Sequence, residues 1–227
     1  MSHFNTIVFS HTPEEVDSLL EPFCESVEAG SPYAVFEEDE EGNMDEQTGK
    51  KGFWHNPNAT WDWYEWAGRW RGLLKLKANA QGESAPLGKY DDPARNRPGY
   101  CDRAPASSLD FSRDEMAYRK SLRRWEVLVE GATPTDEEKE TFFFAFKPEY
   151  YINRYGSKEF FAEYESSSIP YAFVTADGEW HSCGRMGWFG CDDSSLESIQ
   201  QYHKEFIAYL EEACKQGLYA SMMDLHI

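Results

Sequence analysis

Aromatic residues with the potential for ligand chemistry are concentrated between positions 54 and 70. Five of the eight tryptophans lie in this stretch, WHNPNATWDWYEWAGRW, interleaved with amide, carboxylate and guanidinium groups. Rings at this density stack on bases or sugars, an arginine pairs with a phosphate, and an aspartate accepts from a ribose or an amide. The segment therefore predicts a ligand-binding site composed of Asn58, Trp61, Asp62, Trp63, Tyr64, Arg69 and Trp70. The alternative is an aromatic core in which Asp62 and Arg69 form an ion pair.

A second candidate is the glycine-rich stretch 177–190, DGEWHSCGRMGWFG. Gly184, Gly187 and Gly190 recur every three residues, and glycine lets a backbone approach a ligand closely. The spacing fits neither a dinucleotide fingerprint nor a P-loop. We expect either a tight structural turn or a phosphate cradle, to which Arg185 and Trp188 contribute side chains.

Acid–base chemistry has its best candidates near the end of the chain. Asp224 and His226 share a face if this segment is a strand, because alternate residues of a strand point to the same side. Paired with His181 or His55, they could act as acid and base or bind a metal. No HExxH, GxSxG or paired CxxC occurs, so His181, Asp224 and His226, with Asp62, are candidate catalytic residues only. The sequence predicts no metal site and no cofactor.

Charge restricts the class of partner. The formal net charge is −19, which argues against direct nucleic-acid binding because that requires a cationic surface. Residues 1–49 hold 13 acidic side chains, including the run Glu37–Glu41, and no Lys or Arg. Such a run favours a solvated loop. Its functional interpretation is a surface that imitates a phosphate backbone or captures a basic partner.

Other sequence features indicate a cytoplasmic protein. The five cysteines are widely spaced, which is typical of reduced thiols rather than of a disulfide framework. No run of 18 apolar residues occurs, so we expect no membrane partner. The N-terminus has neither a basic segment nor a small-residue cleavage site, and we expect no secretory signal.

The order of elements predicts an α+β fold, with a mixed or antiparallel sheet, helices packed on it and an aromatic-rich core. We expect an opening strand over 4–9, a hairpin around Asp177-Gly178, a helix over 194–215 that ends at Gly217, and a closing strand. Capping boxes predict helices at Thr12, Ser112 and Thr135. Residues 71–77 and 141–146 read as strands. The prediction is a single domain, 1–227, with an acidic N-terminal region (1–49) and a long irregular segment (78–108).

The three chemical stretches together resemble a group of mostly uncharacterised phage and prophage proteins. Those proteins share NPNxxWDWYxxGGRW, a DGxW followed by an MGW turn, and a C-terminal DxHI. The matches here are 56–70, 177–190 and 224–227, about a third of the chain, and Ala67 stands where the group usually has glycine. The resemblance implies a mobile-element protein in the host cytoplasm and implies no known activity.

Three functions remain open from the sequence. The first is binding and sequestration of a small nucleotide-like ligand, such as a host immune signal in phage counter-defence. The second is an acidic interaction protein or nucleic-acid mimic that inhibits a host protein. The third is a small hydrolase of a phosphate or glycosidic linkage. A homo-oligomer is compatible with all three.

Overall fold

A computed structural model describes residues 2–88, 92–142, 146–187 and 190–227. Its strands are β1 (His3–Ser10), β2 (Val35–Met44), β3 (Lys51–His55), β4 (Trp63–Trp66), β5 (Leu74–Lys75), β6 (Tyr100–Cys101), β7 (Arg103–Pro105), β8 (Ala172–Val174), β9 (Trp180–Ser182) and β10 (Tyr219–His226). Its α-helices are α1 (Val16–Leu20), α2 (Glu115–Leu128), α3 (Asp136–Thr141), α4 (Pro148–Tyr155), α5 (Lys158–Ser166) and α6 (Leu196–Gln216).

The central sheet has six strands in the order β4-β10-β1-β8-β9, and β7 pairs with the same edge of β10 as β4 does. Only the β1–β8 pair is parallel among the described pairs of this sheet. The sheet is therefore mixed, and with its helices it confirms the predicted α+β class. Strands from the two ends of the chain, β1 and β10, are neighbours over their full length.

Each face of the sheet buries its own cluster, because alternate side chains of a strand point to opposite sides. One face packs against α6, and its core includes Ile7, Phe9, Phe173, Phe206 and Met222. The other packs against α1 and Trp61, and its core includes Phe4, Val8, Val16, Val174 and Leu225. Within each cluster aromatic rings pack edge to face, so the predicted aromatic-rich core is present.

The long C-terminal helix forms where its end signals place it. The Ser195 hydroxyl accepts a hydrogen bond from the Ser198 amide, and this satisfies a free donor of the first turn of α6. Gly217 ends the helix in the left-handed region, at φ 71°. Ile199, Tyr202 and Phe206 form the buried stripe that covers one face of the sheet.

Five local predictions differ from the structure. The run Glu37–Glu41 begins as strand rather than loop, because Glu37 and Glu38 of β2 pair with β3 in a separate two-stranded ribbon. The register then shifts between Glu38 and Asn43, so Asp39–Glu41 form an exposed bulge. The first helix is short, with α1 flanked by 3-10 turns. The cap of α2 is Asp114 rather than Ser112, since the Asp114 carboxylate accepts from two amides of the first turn. The predicted strand 71–77 is reduced to the two residues of β5.

The predicted strand 141–146 has no counterpart where it is described, because Thr141 belongs to α3. Its residues 143–145 lie outside the described residues.

A buried ion pair organises the segment 78–108. Asp102 is fully buried and accepts hydrogen bonds from the Gly72 and Ala85 amides at 2.6 and 2.9 Å. Arg71 lies 3.5 Å from the Asp102 carboxylate and donates to the carbonyls of Ala85 and Pro86. The segment is thus held to the sheet although, outside residues 89–91, its only strands are the short β6 and β7. Among the described helices, none has the length and apolar character needed to cross a membrane.

Candidate functional site

The predicted ligand-binding residues are distributed over three cavities. Asn58 and Arg185 line the first, Trp63 and Arg69 the second, and Trp61 and Tyr64 the third. Trp188 lies outside the described residues. The tryptophan-rich stretch is therefore not one cage, and two of these cavities have side chains suited to chemistry.

The first cavity, called here the aromatic pocket, has a volume of about 610 Å³. Its apolar wall lies on the α1 face of the sheet and consists of Phe4, Phe23, Tyr171 and Trp180. Its polar groups include Asn58, Thr60, Glu179 and Arg185. Cavities of roughly 300–1,000 Å³ with mostly apolar walls and a few polar groups are typical of small-molecule sites.

The position of Asn58 follows from the buried Asn56. The Asn56 amide nitrogen donates to the carbonyls of Pro22 and Cys24, at 2.8 and 2.9 Å. The Asn56 amide oxygen accepts from the Asn58 backbone at 2.9 Å, which is an Asx turn. This turn positions Asn58, which lines the pocket together with Phe23.

The Thr60 hydroxyl is a further polar group of this wall. It is buried and has no hydrogen-bond partner within the part of the chain that the structure describes. An unsatisfied buried hydroxyl costs free energy, and this oxygen is enclosed by protein rather than open to the volume of the pocket.

Arg185 is presented by a turn that hydrogen bonds hold rigid. The Arg185 amide donates to the Asp193 carboxylate at 2.6 Å, and the Gly187 amide donates to the Cys191 carbonyl at 2.8 Å. Gly184 is required by close packing, since a Cβ there would lie 2.7 Å from the Ser194 nitrogen. The Arg185 guanidinium is exposed and forms no ion pair with any described residue. Over its described residues the stretch is thus a turn held by hydrogen bonds, and it carries Arg185 with no ion pair to the described part of the chain.

This turn is anchored to α4 by an ion pair. Both terminal nitrogens of Arg154 donate hydrogen bonds to the Asp192 carboxylate, at 3.1 and 3.0 Å. Burial raises the pKa of Asp192, but the hydrogen bonds from Arg154 and Ser194 outweigh it and hold the pKa below its ordinary value of 3.8. The bidentate pair therefore fixes the end of the turn opposite Arg185.

The second cavity, called here the His–Asp cleft, has a volume of about 330 Å³ on the α6 face of the sheet. Its floor is the buried Asp224, which is 1% exposed. One Asp224 oxygen lies 2.9 Å from His3 Nδ1, and the other accepts from the Arg69 backbone amide at 2.9 Å. Gly68 permits this approach, because a Cβ there would lie 2.5 Å from the Asp224 carboxylate.

A second histidine–carboxylate pair lies beside the first. His226 Nδ1 is 2.6 Å from Asp62 Oδ1, and the His226 ring stacks on Trp63 at 5.1 Å between centroids. The rings of His3 and His226 meet edge to face at 4.8 Å. Trp63 is 44% exposed and forms a wall of the cleft.

The charges around the cleft are mixed. Arg69, Arg71 and Arg95 line it, together with the acidic Glu65 and Asp92. Arg95 donates to the Arg69 carbonyl, and this contact joins the 92–95 turn to the rim of the cleft. The predicted Asp62–Arg69 ion pair is not present, because Asp62 pairs with His226. The Arg69 side chain is exposed at the rim and forms no ion pair with any described residue.

The other predicted ligand-binding residues of the tryptophan-rich stretch stabilise the fold through buried contacts and hydrogen bonds. Trp61 is buried and donates its indole nitrogen to the Leu20 carbonyl at 3.2 Å. The Tyr64 hydroxyl donates to Asp17 at 2.6 Å, and burial together with this bond raises the pKa of Tyr64. Trp70 packs against the core of the α6 face.

His181 is separated from Asp224 and His226. It is the last position of a row across the sheet, Met222–Ile7–Phe173–His181, three strand spacings or roughly 14 Å from β10. There it stacks on Phe173 at 4.6 Å and lies 3.4 Å from Glu205. Of the four candidate catalytic residues, the structure brings Asp62 to His226, on the strand that also holds Asp224, and leaves His181 apart from them.

Sequence reasoning missed His3, Arg95 and the pocket rings Phe4 and Trp180. The signal for His3 was its alternation with Asn5 and Ile7 in the opening strand. That pattern becomes informative only once β1 is known to pair with β10, which sets His3 opposite His226.

No group of three or more side chains suited to hold a metal ion occurs among the described residues. Comparison of the chain with protein families, with curated proteins and with solved structures found no match to any of them. The geometry of the two cavities is therefore the basis for assigning a function.

Proposed function

We propose that the protein binds and sequesters a small nucleotide-like ligand in the aromatic pocket. The observation that carries the proposal is that Arg185, which forms no ion pair with any described residue, lines the same cavity as Asn58 and four aromatic rings. A planar base stacks on such rings, and an arginine binds a phosphate with two parallel hydrogen bonds. The Asn58 amide supplies donors and an acceptor for the ligand's polar edge.

Charge limits the kind of nucleotide that this pocket accepts. Arg185 is the one basic side chain among the described residues that line it, and Glu179 lies in the same lining. The chain as a whole carries −19, so it repels polyanions at long range. The proposed ligand therefore has one phosphate or a cyclic phosphate, and a triphosphate is disfavoured.

The biological setting is a further part of the proposal. If the chain is a phage protein, as its motif resemblance implies, the ligand is a host immune signal and its capture is counter-defence. The identity of the ligand as a host signal is tested by comparing cells with and without phage infection, whereas the chemistry of the pocket is tested with added nucleotides.

The test is native mass spectrometry of the full chain purified from bacterial cells, with and without phage infection. We expect a retained mass of a few hundred daltons that is lost in Arg185→Ala and in Trp180→Ala. Arg69→Ala is the matched control, because it removes an exposed arginine from the other cavity. Calorimetry with adenosine monophosphate and cyclic adenosine monophosphate measures the affinity directly. A bare chain that also fails to bind either nucleotide contradicts the proposal.

The acidic ribbon favours a second candidate function. The carboxylates of Glu37–Glu41 are exposed, the first two on the paired part of β2 and the rest in the bulge that follows Glu38. Such a cluster of exposed carboxylates imitates the charge of a phosphate backbone for a basic host protein. This candidate predicts co-purification of a host protein that salt releases, and its loss when Glu37, Glu38 and Glu40 are changed to Gln.

A further inference from the structure

The His–Asp cleft contains a titratable cluster that the proposed ligand pocket does not use. His3 and Asp224 line it, and both lie on the α6 face, whereas the aromatic pocket lies on the α1 face. Asp224 is almost wholly buried, yet its carboxylate has donors on both oxygens, the His3 ring and the Arg69 amide. A buried carboxylate used in this way fixes the orientation of an imidazole.

The contact to Asp224 determines which nitrogen of His3 is free. The carboxylate only accepts hydrogen bonds, so His3 Nδ1 carries the hydrogen in the 2.9 Å contact. The neutral ring then has its lone pair on Nε2, which has no hydrogen-bond partner among the described residues. A histidine with a carboxylate on Nδ1 and an open Nε2 is arranged as a general base.

The surroundings hold this ring in place. His226 meets it edge to face at 4.8 Å and is itself held by Asp62 at 2.6 Å. Trp63 contacts both histidine rings, at 5.3 Å from His3 and 5.1 Å from His226. His226 and Asp62 thus act as positioning residues behind His3.

The rim of the cleft selects an anion with a flat neighbouring group. The Arg69 guanidinium forms no ion pair with any described residue and stands beside Arg95, while Glu65 and Asp92 disfavour a highly charged ligand. Trp63 offers an exposed ring face next to these arginines. This combination fits a phosphate diester in which one ester group is aromatic or carries a base.

We propose that the His–Asp cleft is a catalytic site that hydrolyses phosphate diesters, with His3 as the general base. His3 Nε2 takes a proton from a water molecule, and the water oxygen forms a bond to phosphorus. The bond between phosphorus and the leaving oxygen breaks, and that oxygen keeps the bonding pair and takes a proton from solvent. His3 returns its proton to solvent, Arg69 and Arg95 neutralise the charge on the phosphoryl oxygens, and no oxidant or cofactor is consumed.

The test uses the full chain with bis(p-nitrophenyl) phosphate and follows release of p-nitrophenolate. We expect His3→Gln to lower kcat by at least about 100-fold, as for removal of a general base. Arg69→Gln should raise KM about tenfold. We expect little effect on folding, because the Arg69 side chain forms no ion pair with any described residue. His181→Gln is the matched control, since this histidine also faces a carboxylate but lies outside the cleft. Added imidazole should restore part of the activity of His3→Gly.

A second measurement keeps the result decisive. Orthovanadate, a phosphate analogue, should shift the NMR ring signals of His3 and His226 and leave those of His11, His55 and His181 unchanged. Release of p-nitrophenolate that persists in both His3→Gln and Arg69→Gln overturns the proposal. Absence of turnover overturns it as well, and a vanadate shift without turnover reduces the cleft to an anion-binding site.

Discussion

The aromatic pocket and the His–Asp cleft lie at the same end of the central sheet, on opposite faces, and are built by different means. The cleft takes its central groups from paired strands, since His3 and Asp224 belong to β1 and β10. The pocket takes Asn58 and Arg185 from turns, which depend on Asn56 and on the Arg154–Asp192 pair for their positions. Strand ladders tolerate little displacement, whereas turns move when their anchor is lost.

This difference in construction explains why the cleft suits a reaction and the pocket suits binding. General-base chemistry needs a ring held by a fixed partner, and Asp224 supplies this to His3. Capture of a ligand needs apolar area and a few polar groups, and the rings of the pocket supply the area. Perturbing one site should therefore leave the other unchanged.

The largest expected effect comes from Gly68→Ala, which tests the rigidity of the cleft. The new Cβ would lie 2.5 Å from the Asp224 carboxylate, at a backbone φ of +41°. We expect a loss of about 2–4 kcal/mol in the free energy of unfolding, measured by urea denaturation. Gly131→Ala is the control, because it has φ +77° with nothing within 4 Å of the added Cβ. Equal losses in the two variants would show that backbone strain alone, and not the cleft, sets the cost.

The next effect concerns the anchor of the pocket. Asp192→Asn removes a mostly buried ion pair, and we expect a loss of about 2 kcal/mol at pH 7 together with weaker nucleotide binding. The folded pKa of Asp192 is lowered, so its contribution is present above pH 3.8 and is lost as the pH falls through the folded value. The difference between wild type and Asp192→Asn should therefore shrink below pH 3.8.

Urea denaturation at several pH values measures this difference. Asp136→Asn is the control, since its carboxylate is 98% exposed and pairs only with Lys139 on its own helix. A difference between wild type and Asp192→Asn that stays constant down to pH 3 would contradict the role of the ionised pair.

A smaller effect tests whether the two cavities are independent. Arg185→Gln and Arg69→Gln should each weaken anion binding at their own cavity by about 1–2 kcal/mol, which is roughly 5- to 30-fold. Calorimetry with adenosine monophosphate reports on the pocket, and NMR titration with orthovanadate reports on the cleft. The double variant should show the two losses unchanged, because distant sites are additive within about 0.5 kcal/mol. Coupling beyond that would merge the two cavities into one functional site.

The smallest effect is expected at Ala67, just before Gly68. Its φ of +61° lies in the region that favours glycine, and the residue is fully buried. Ala67→Gly relieves backbone strain but removes one methyl group, so we expect a gain of up to about 1 kcal/mol in unfolding free energy. Asn79→Gly, at φ +62° on the surface, should gain less because asparagine tolerates this region. A loss for Ala67→Gly would show that packing of the methyl group outweighs strain.

Local patterns in the sequence determined the α+β class and several element ends. Thr135 and Glu138 form the predicted capping box, and Gly217 ends α6, because these signals act over one helical turn. The common face of Asp224 and His226 was also predictable, since alternation is a property of a single strand. The loop prediction for the acidic run was wrong for Glu37 and Glu38, which pair with β3, whereas Asp39–Glu41 lie in the bulge where the register of the ribbon shifts.

Only the tertiary structure decided which side chains meet. His3 and Asp224 are separated by 221 positions, and the antiparallel pairing of β1 with β10 brings them together. The tryptophan-rich stretch is continuous in sequence, but its side chains are divided among the core, the cleft and the pocket. The reason is that a turn, a strand and a 3-10 helix follow one another in it and direct the side chains differently. Contacts of this kind depend on the register of distant strands, which local residue patterns do not encode.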